Sequence, residues 1–87
     1  MIQPTIGRVV LFYTGATAQD QALPALVCYV HSDRLINIGG FNANGEPMKA
    51  TSVQLLQDDD AIPSGAPYAC WMPYQVQAAA KARSSFR

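Results

Sequence analysis

One stretch of sequence decides the fold. It reads Leu35-Ile36-Asn37-Ile38-Gly39-Gly40-Phe41, then Asn42-Ala43-Asn44-Gly45, then Glu46 to Val53. Its flanks are rich in β-branched and apolar residues, which favour strands. The Asn44-Gly45 pair is typical of a hairpin, because both residues tolerate the positive φ that tight turns require. We expect strands at 35–41 and from 47 to 53 or 55, and we interpret Gly39-Gly40 as a bulge or sharp bend.

Three further apolar runs lie outside this hairpin. Residues 7–14 and 25–31 predict two strands before it, with Pro24 opening the second. Residues 68–72 predict a short fifth strand, which Pro73 ends. The remaining segments are expected to be irregular: a small, polar loop at 15–23, a tight turn at 32–34, and a charged, Pro- and Gly-containing loop before Tyr68.

The composition changes after Pro73. Residues 74–83 consist mostly of good helix formers, Pro73 suits a first helical position, and Lys81 and Arg83 suit a helix C-terminus. We expect a short helix here that needs packing or a partner to be stable, followed by a frayed end at 84–87.

Five short strands with closely spaced turns indicate an all-β protein. A long first loop, a tight turn, an Asn-Gly hairpin and a short last strand predict a five-stranded SH3-like barrel over residues 1–73, with a helix and tail at 74–87. The alternative is an open five-stranded sheet with the helix on one face. The 87 residues, 49% of them hydrophobic, suffice for one domain with a core.

Charge is unevenly distributed along the chain. Residues 1–80 hold three of the six basic residues and all six acidic ones, a net charge of −3, whereas residues 81–87 hold the other three basic residues. The acidic body disfavours nucleic acid as a partner. Either the basic end docks on the next subunit, giving a homo-oligomer through the C-terminal helix, or it touches another anionic partner, or it is simply solvated.

Nothing in the chain predicts a membrane or an export signal. No stretch approaches the roughly 20 apolar residues of a membrane span, and residues 1–5 lack the pattern of a signal peptide. We therefore expect a cytoplasmic protein. Cys28 and Cys70 each lie in an apolar run, so we expect buried, reduced thiols, with a disulfide as the alternative.

The residue types that carry catalysis occur without the required spacing. His31-Ser32-Asp33 are consecutive in a turn, whereas a catalytic triad is assembled from separated segments. Residues 58–60 are three aspartates without the alternating ligands of a calcium loop. With no CxxC and a single His, we expect no enzyme, no cofactor and no metal site.

Aromatic residues point to binding instead. SH3-like barrels often bind through an aromatic-lined groove, and tyrosine and tryptophan suit such surfaces. We expect Phe12 and Phe41 to be core residues. The candidate residues for a ligand or partner site are Tyr13, Arg34, Tyr68, Trp71 and Tyr74.

Several segments resemble small, mostly uncharacterised SH3-like proteins encoded by tailed bacteriophages. The similar stretches are residues 3–10, 24–27, 30–33, 36–38, 41–45, 51–53 and 71–74. The resemblance implies a phage gene expressed in the host bacterial cytoplasm, and it supplies no catalytic residues. Such phage proteins act on host systems or form minor parts of the virion.

Three functions follow as hypotheses. The first is a non-catalytic phage accessory protein that blocks a host defence or regulatory protein, or sequesters a small signalling nucleotide. The second is a minor virion component, such as a decoration or connector protein. The third is a nucleic-acid-binding barrel, which the acidic body disfavours.

Overall fold

The computed structural model describes residues 1–15, 21–58, 60–63 and 65–84, and only the backbone of residues 79–84. Its five strands and one helix follow the predicted order: β1 Val9–Tyr13, β2 Leu23–Ser32, β3 Leu35–Phe41, β4 Pro47–Leu56, β5 Tyr68–Cys70 and α1 Pro73–Ser84. Most of the expected first loop, residues 16–20, lies outside the described residues, as do Asp59 and the chain end at 85–87.

The strands close into a barrel in the order β1-β2-β3-β4-β5, which confirms the SH3-like all-β architecture with a short C-terminal helix. Four of the five neighbouring pairs are antiparallel, and β4 pairs with β5 in parallel. A ring with an odd number of strands cannot alternate direction all the way round, so one parallel pair is obligatory. Parallel neighbours need a long crossover. The segment between β4 and β5, described at residues 57–58, 60–63 and 65–67, supplies it and lies over one end of the barrel.

The Gly39-Gly40 pair is expected to form a bulge or a sharp bend, and the bulge is wrong. Both glycines keep a regular register with β2 and β4, while the irregularities occur elsewhere, at Cys28, at His31 and opposite Asn37. What Gly40 permits is close packing of two strands. A Cβ on Gly40 would lie 2.1 Å from the carbonyl oxygen of Pro24, so no other residue fits there without moving the backbone.

The predicted hairpin is present, with a different turn. Gly45 N donates to Asn42 O at 2.9 Å, and Gly45 has a φ of 80°. Asn44 has no positive φ, so only one residue of the pair needs the left-handed conformation. Asn42 closes the turn by accepting at Oδ1 from the backbone N–H groups of Asn44 and Glu46, at 2.9 and 3.0 Å. This arrangement is a type I turn followed by a glycine bulge.

The core fills the barrel with alternate residues of each strand. Val10, Phe12, Ile36, Val53 and Leu55 are among its buried members, and Trp71 closes one end. Phe12 is therefore a core residue as expected. Phe41 is not: half of its surface is exposed, because it lies at the end of β3 with its ring on the outer face.

The helix begins at Pro73 as predicted and is joined to the barrel through its first turn. Gln75 is 8% exposed; its Oε1 accepts from Met72 N at 2.8 Å and its Nε2 donates to Val9 O at 3.2 Å. The first of these bonds is the glutamine half of a capping box. The described side chains of Pro73, Tyr74 and residues 76–78 are all exposed. One buried glutamine thus attaches the helix to β1.

Candidate functional site

A cleft of about 380 Å³ lies at the barrel end that the β4–β5 crossover covers. Strands β1 and β5 form one wall, the crossover forms the other, and the first turn of α1 lies at one side. Its lining is mainly apolar and aromatic: Met1, Ile2, Tyr13, Leu56, Gln57, Asp58, Asp60, Ile62, Tyr68, Cys70, Trp71 and Val76. We call this surface the aromatic cleft.

The aromatic cleft is built around the buried amide of Gln57, which is 1% exposed. Its Oε1 accepts from Trp71 Nε1 at 3.0 Å and from Ile2 N at 3.1 Å. Its Nε2 donates to Ile2 O at 2.8 Å and to Asp33 O at 3.0 Å. All four hydrogen-bonding positions of the amide are used, so one side chain joins the crossover, the N-terminal segment, the β2–β3 turn and the indole.

Two stacked tyrosines form the wall opposite the crossover. Tyr13 and Tyr68 are direct partners across the β1–β5 pair, with ring centroids 4.9 Å apart and planes inclined by 13°. Burial raises the pKa of Tyr13, and the neighbouring Cys70 and Tyr68 raise it further. Burial also raises the pKa of the Cys70 thiol. Tyr13 and Cys70 are therefore neutral at pH 7.

The acidic side chains at the cleft are already paired with positively charged groups of the same chain. Asp60 Oδ2 accepts from Arg34 Nε at 2.8 Å and from Gln57 N at 2.9 Å. The hydrogen bond from Arg34 holds the pKa of Asp60 below its usual value, and the bond from Gln57 N lowers it further. Asp58 Oδ1 lies 3.0 Å from the amino group of Met1. The acidic rim is thus largely neutralised by groups of the same chain.

The structure brings four of the five predicted site residues to this region. Tyr13 and Tyr68 line the cleft directly, and Arg34 anchors its rim through Asp60. Trp71 lines it too, but the ring is 6% exposed and belongs to the core, with the Arg8 guanidinium 5.8 Å from its centre. Tyr74 lies apart, 60% exposed, beside Ile6, Arg8 and Val9.

Gln57 is the site residue that the sequence analysis missed. The charged loop that the sequence predicts before Tyr68 begins at Gln57, which three aspartates follow. Its partners, Ile2, Asp33 and Trp71, are far from it along the chain. No local pattern distinguishes it from a solvated glutamine.

His31, Ser32 and Asp33 are the residue types of a catalytic triad, but the structure does not arrange them as one. His31 Nε2 lies 3.0 Å from Asn37 Oδ1, which also accepts from Ser52 N at 2.8 Å. Because Ser52 N can only donate, this oxygen is an acceptor and His31 Nε2 donates to it. Ser32 Oγ accepts from Arg34 N at 3.3 Å within the turn. Within the described parts of the chain, no three His, Cys, Asp or Glu residues are grouped to hold a metal ion.

The two cysteines differ from expectation in one respect. Both are free, but Cys28 is exposed on the outer face of β2, whereas Cys70 is partly buried at the cleft. The expectation of burial is wrong for Cys28, because a strand of a closed barrel turns alternate residues outward even where the sequence is apolar.

Comparison with known proteins identifies no relative. No protein-family model, no curated protein and no solved structure matches the chain. No helix in the described part of the chain is long and apolar enough to cross a membrane.

Proposed function

We propose that this chain is a non-catalytic accessory protein, encoded by a phage and acting in the bacterial cytoplasm, that blocks a host protein by binding an aromatic or apolar side chain of that protein in the aromatic cleft. The observation that carries the proposal is the stacked Tyr13–Tyr68 pair facing a mainly apolar cavity that is open to solvent. A preformed apolar concavity with a few polar groups is the usual form of a binding site.

The walls of the aromatic cleft are available to a partner. Ile62 on the crossover is 69% exposed and Val76 on the helix is 52% exposed, so large apolar side chains border the opening. Isolated exposed apolar residues are common, but here they converge on one cavity. The Gln57 amide is saturated by its own chain and keeps the cavity in shape without competing for a ligand.

Charge favours a protein side chain over a signalling nucleotide as the occupant. The cations that the structure places at this cleft, Arg34 and the Met1 amino group, already lie against Asp60 and Asp58. A phosphate would have to separate these ion pairs and approach their carboxylates. A neutral ring encounters no such barrier and gains stacking on tyrosine.

Site-specific photocrosslinking tests the proposal. A benzophenone amino acid at position 62, on the crossover wall, is expected to crosslink a host protein in bacteria, and Tyr68→Ala is expected to abolish the product. Tyr29→Ala is the matched control, since Tyr29 is 53% exposed and lies on β2, away from the cleft. A product that survives Tyr68→Ala, or is lost equally with Tyr29→Ala, would contradict the proposal.

Two further measurements separate the other functions. Native mass spectrometry of the protein purified from the same cells would reveal a retained nucleotide, which would favour sequestration of a signalling molecule. Co-purification with phage particles would favour a virion component. Salt-dependent binding to nucleic acid would favour the third hypothesis.

A further inference from the structure

A second apolar surface lies on the outside of the barrel, away from the aromatic cleft. Its first part is a hollow of about 470 Å³ between β1, β2 and β3, lined by Val9, Pro24, Ala25, Leu26, Cys28, Gly39, Gly40 and Phe41. Gly39 lies directly opposite Leu26 in the sheet and contributes no side chain, so the hollow lies between flanking apolar side chains. Among the residues that the structure describes, no charged side chain lines it.

A protruding part adjoins the hollow. Ile6 is 70% exposed and Tyr74 is 60% exposed, and both lie beside Val9. Val9 borders the hollow as well, so it joins the two parts into one apolar band. Leu26 and Phe41, 47% and 50% exposed, form the far side. We call Ile6, Val9, Leu26, Phe41 and Tyr74 the outer band.

We propose that the outer band is the interface of a two-fold symmetric homodimer, in which Tyr74 and Ile6 of each copy insert into the hollow of the other. A two-fold axis pairs residue i with j and j with i, so one surface must carry both shapes. The outer band carries a protrusion and a hollow on either side of Val9. Placing the axis near Val9 brings each protrusion to the other copy's hollow.

The exposed apolar surface of the outer band is large enough for the interface of a small dimer. The exposures of 38–70% in the outer band leave about 500 Å² of apolar surface on each copy, within the range of a functional patch. Two such bands bury about 1,000 Å² in total, the size at which specific interfaces begin. A weak, concentration-dependent dimer is therefore expected.

Charge also favours a second copy as the occupant. The body of the chain is acidic, but no carboxylate lines the described parts of the outer band; Arg8 lies beside Tyr74, and Lys49 lies directly opposite Gly39 in the sheet. Tyr74 of the outer band lies in the first turn of helix α1, and the basic residues of the chain end follow in the sequence at 81–87. An acidic body and a basic end attract each other between copies. A phage or host protein on the same band would give no self-association.

Sedimentation velocity from micromolar to millimolar protein tests the dimer. Leu26→Lys and Tyr74→Lys are each expected to weaken self-association by about ten-fold or more, since they place an unpaired charge in the interface. Leu35→Lys is the matched control, because Leu35 is an exposed strand leucine outside the outer band, and it should leave the dissociation constant within about two-fold. A monomer at all concentrations, or a dimer that Leu35→Lys weakens as much, would overturn the proposal.

Crosslinking tests the geometry of the dimer. In a Cys70→Ala background, Tyr74→Cys is expected to form a disulfide with Cys28 of the second copy on oxidation, because Cys28 lines the hollow that Tyr74 enters. Gln77→Cys, exposed on the same helix, is the control and should not. Equal crosslinking from both positions, or none from position 74, would reject the two-fold arrangement. Far-ultraviolet circular dichroism checks that each variant is folded.

Discussion

The indole Nε1 of Trp71 donates to Oε1 of Gln57 at 3.0 Å, inside the covered end of the barrel. This bond joins the segment that precedes the helix to the start of the β4–β5 crossover. Because the Gln57 amide also holds Ile2 and Asp33, the floor of the aromatic cleft depends on one side chain. Loss of that side chain is expected to affect stability and cleft shape together.

We predict that Gln57→Leu destabilises the protein by about 2–4 kcal/mol, because it leaves buried polar groups at Trp71, Ile2 and Asp33 without partners. Urea unfolding followed by tryptophan fluorescence measures the effect. Gln77→Leu, exposed on the helix, should change the free energy of unfolding by less than about 0.5 kcal/mol. Equal effects of the two substitutions would show that the amide network does not stabilise the fold.

Lowering the pH should remove the contribution of Asp60 to the stability of the fold. Its pKa is lowered in the folded state by Arg34 and by Gln57 N, so its contribution to stability is present above the unfolded pKa of about 4 and is lost as pH falls through the folded value. We expect the stability difference between wild type and Asp60→Asn to shrink over that interval, measured as melting temperature from pH 7 to pH 2. A difference that is constant with pH would contradict the assignment.

The two central glycines of β3 should differ sharply on substitution. Gly40→Ala is expected to cost about 2–4 kcal/mol, since its Cβ meets the Pro24 backbone at 2.1 Å. A Cβ at Gly39 lies closest to the Cys28 sulfur, at 3.3 Å, with Met48 O at 4.0 Å, and a rotation of the Cys28 side chain relieves the closer contact. Thermal melting of both variants decides the point, and a Gly40→Ala protein as stable as Gly39→Ala would refute the close packing of β2 on β3.

The hairpin turn should depend on Gly45 far more than on Asn44. Gly45→Val is expected to cost about 1–2 kcal/mol, because a β-branched residue is strained at a φ of 80°. Asn44→Val should change stability by less than about 0.5 kcal/mol, since only its backbone N–H is used in the turn. Chemical denaturation of the two single variants measures both. Similar losses at both positions would instead indicate a two-residue turn, in which Asn44 and Gly45 both have positive φ.

The thiols should react at different rates. Cys28 is exposed and should be labelled rapidly by a maleimide at low protein concentration. Cys70 is partly buried and its pKa is raised by burial, so it should react slowly until the protein unfolds. Mass spectrometry of Cys28→Ser and Cys70→Ser variants separates the two rates. Equal rates in the folded protein would contradict the different exposures.

Features specified by neighbouring residues were predictable from the sequence. The position of the hairpin at residues 42–45, though not its turn type, and the helix start at Pro73 both depend on residues within a few positions of each other. Features specified by distant residues were not. The role of Gln57 requires Ile2 and Trp71, and the outward position of Phe41 requires knowing which face of β3 covers the core. The face of β3 that carries Phe41 holds the polar Asn37 but also the apolar Leu35, so alternation along the strand was a weak signal.

The odd number of strands also has a consequence for the order of folding. Strands β2, β3 and β4 are joined by short turns and pair with their chain neighbours, so they can assemble early from local contacts. Pairing of Leu11 with Cys70 joins residues 59 positions apart and needs a long loop to close first, whereas the parallel β4–β5 pair joins Gln54 to Tyr68, 14 positions apart. We expect ring closure to be the late, slow event, and reopening at β5 to be the first step of unfolding. A molecule caught before closure carries unpaired strand edges at β1 and β4, which can pair with another chain.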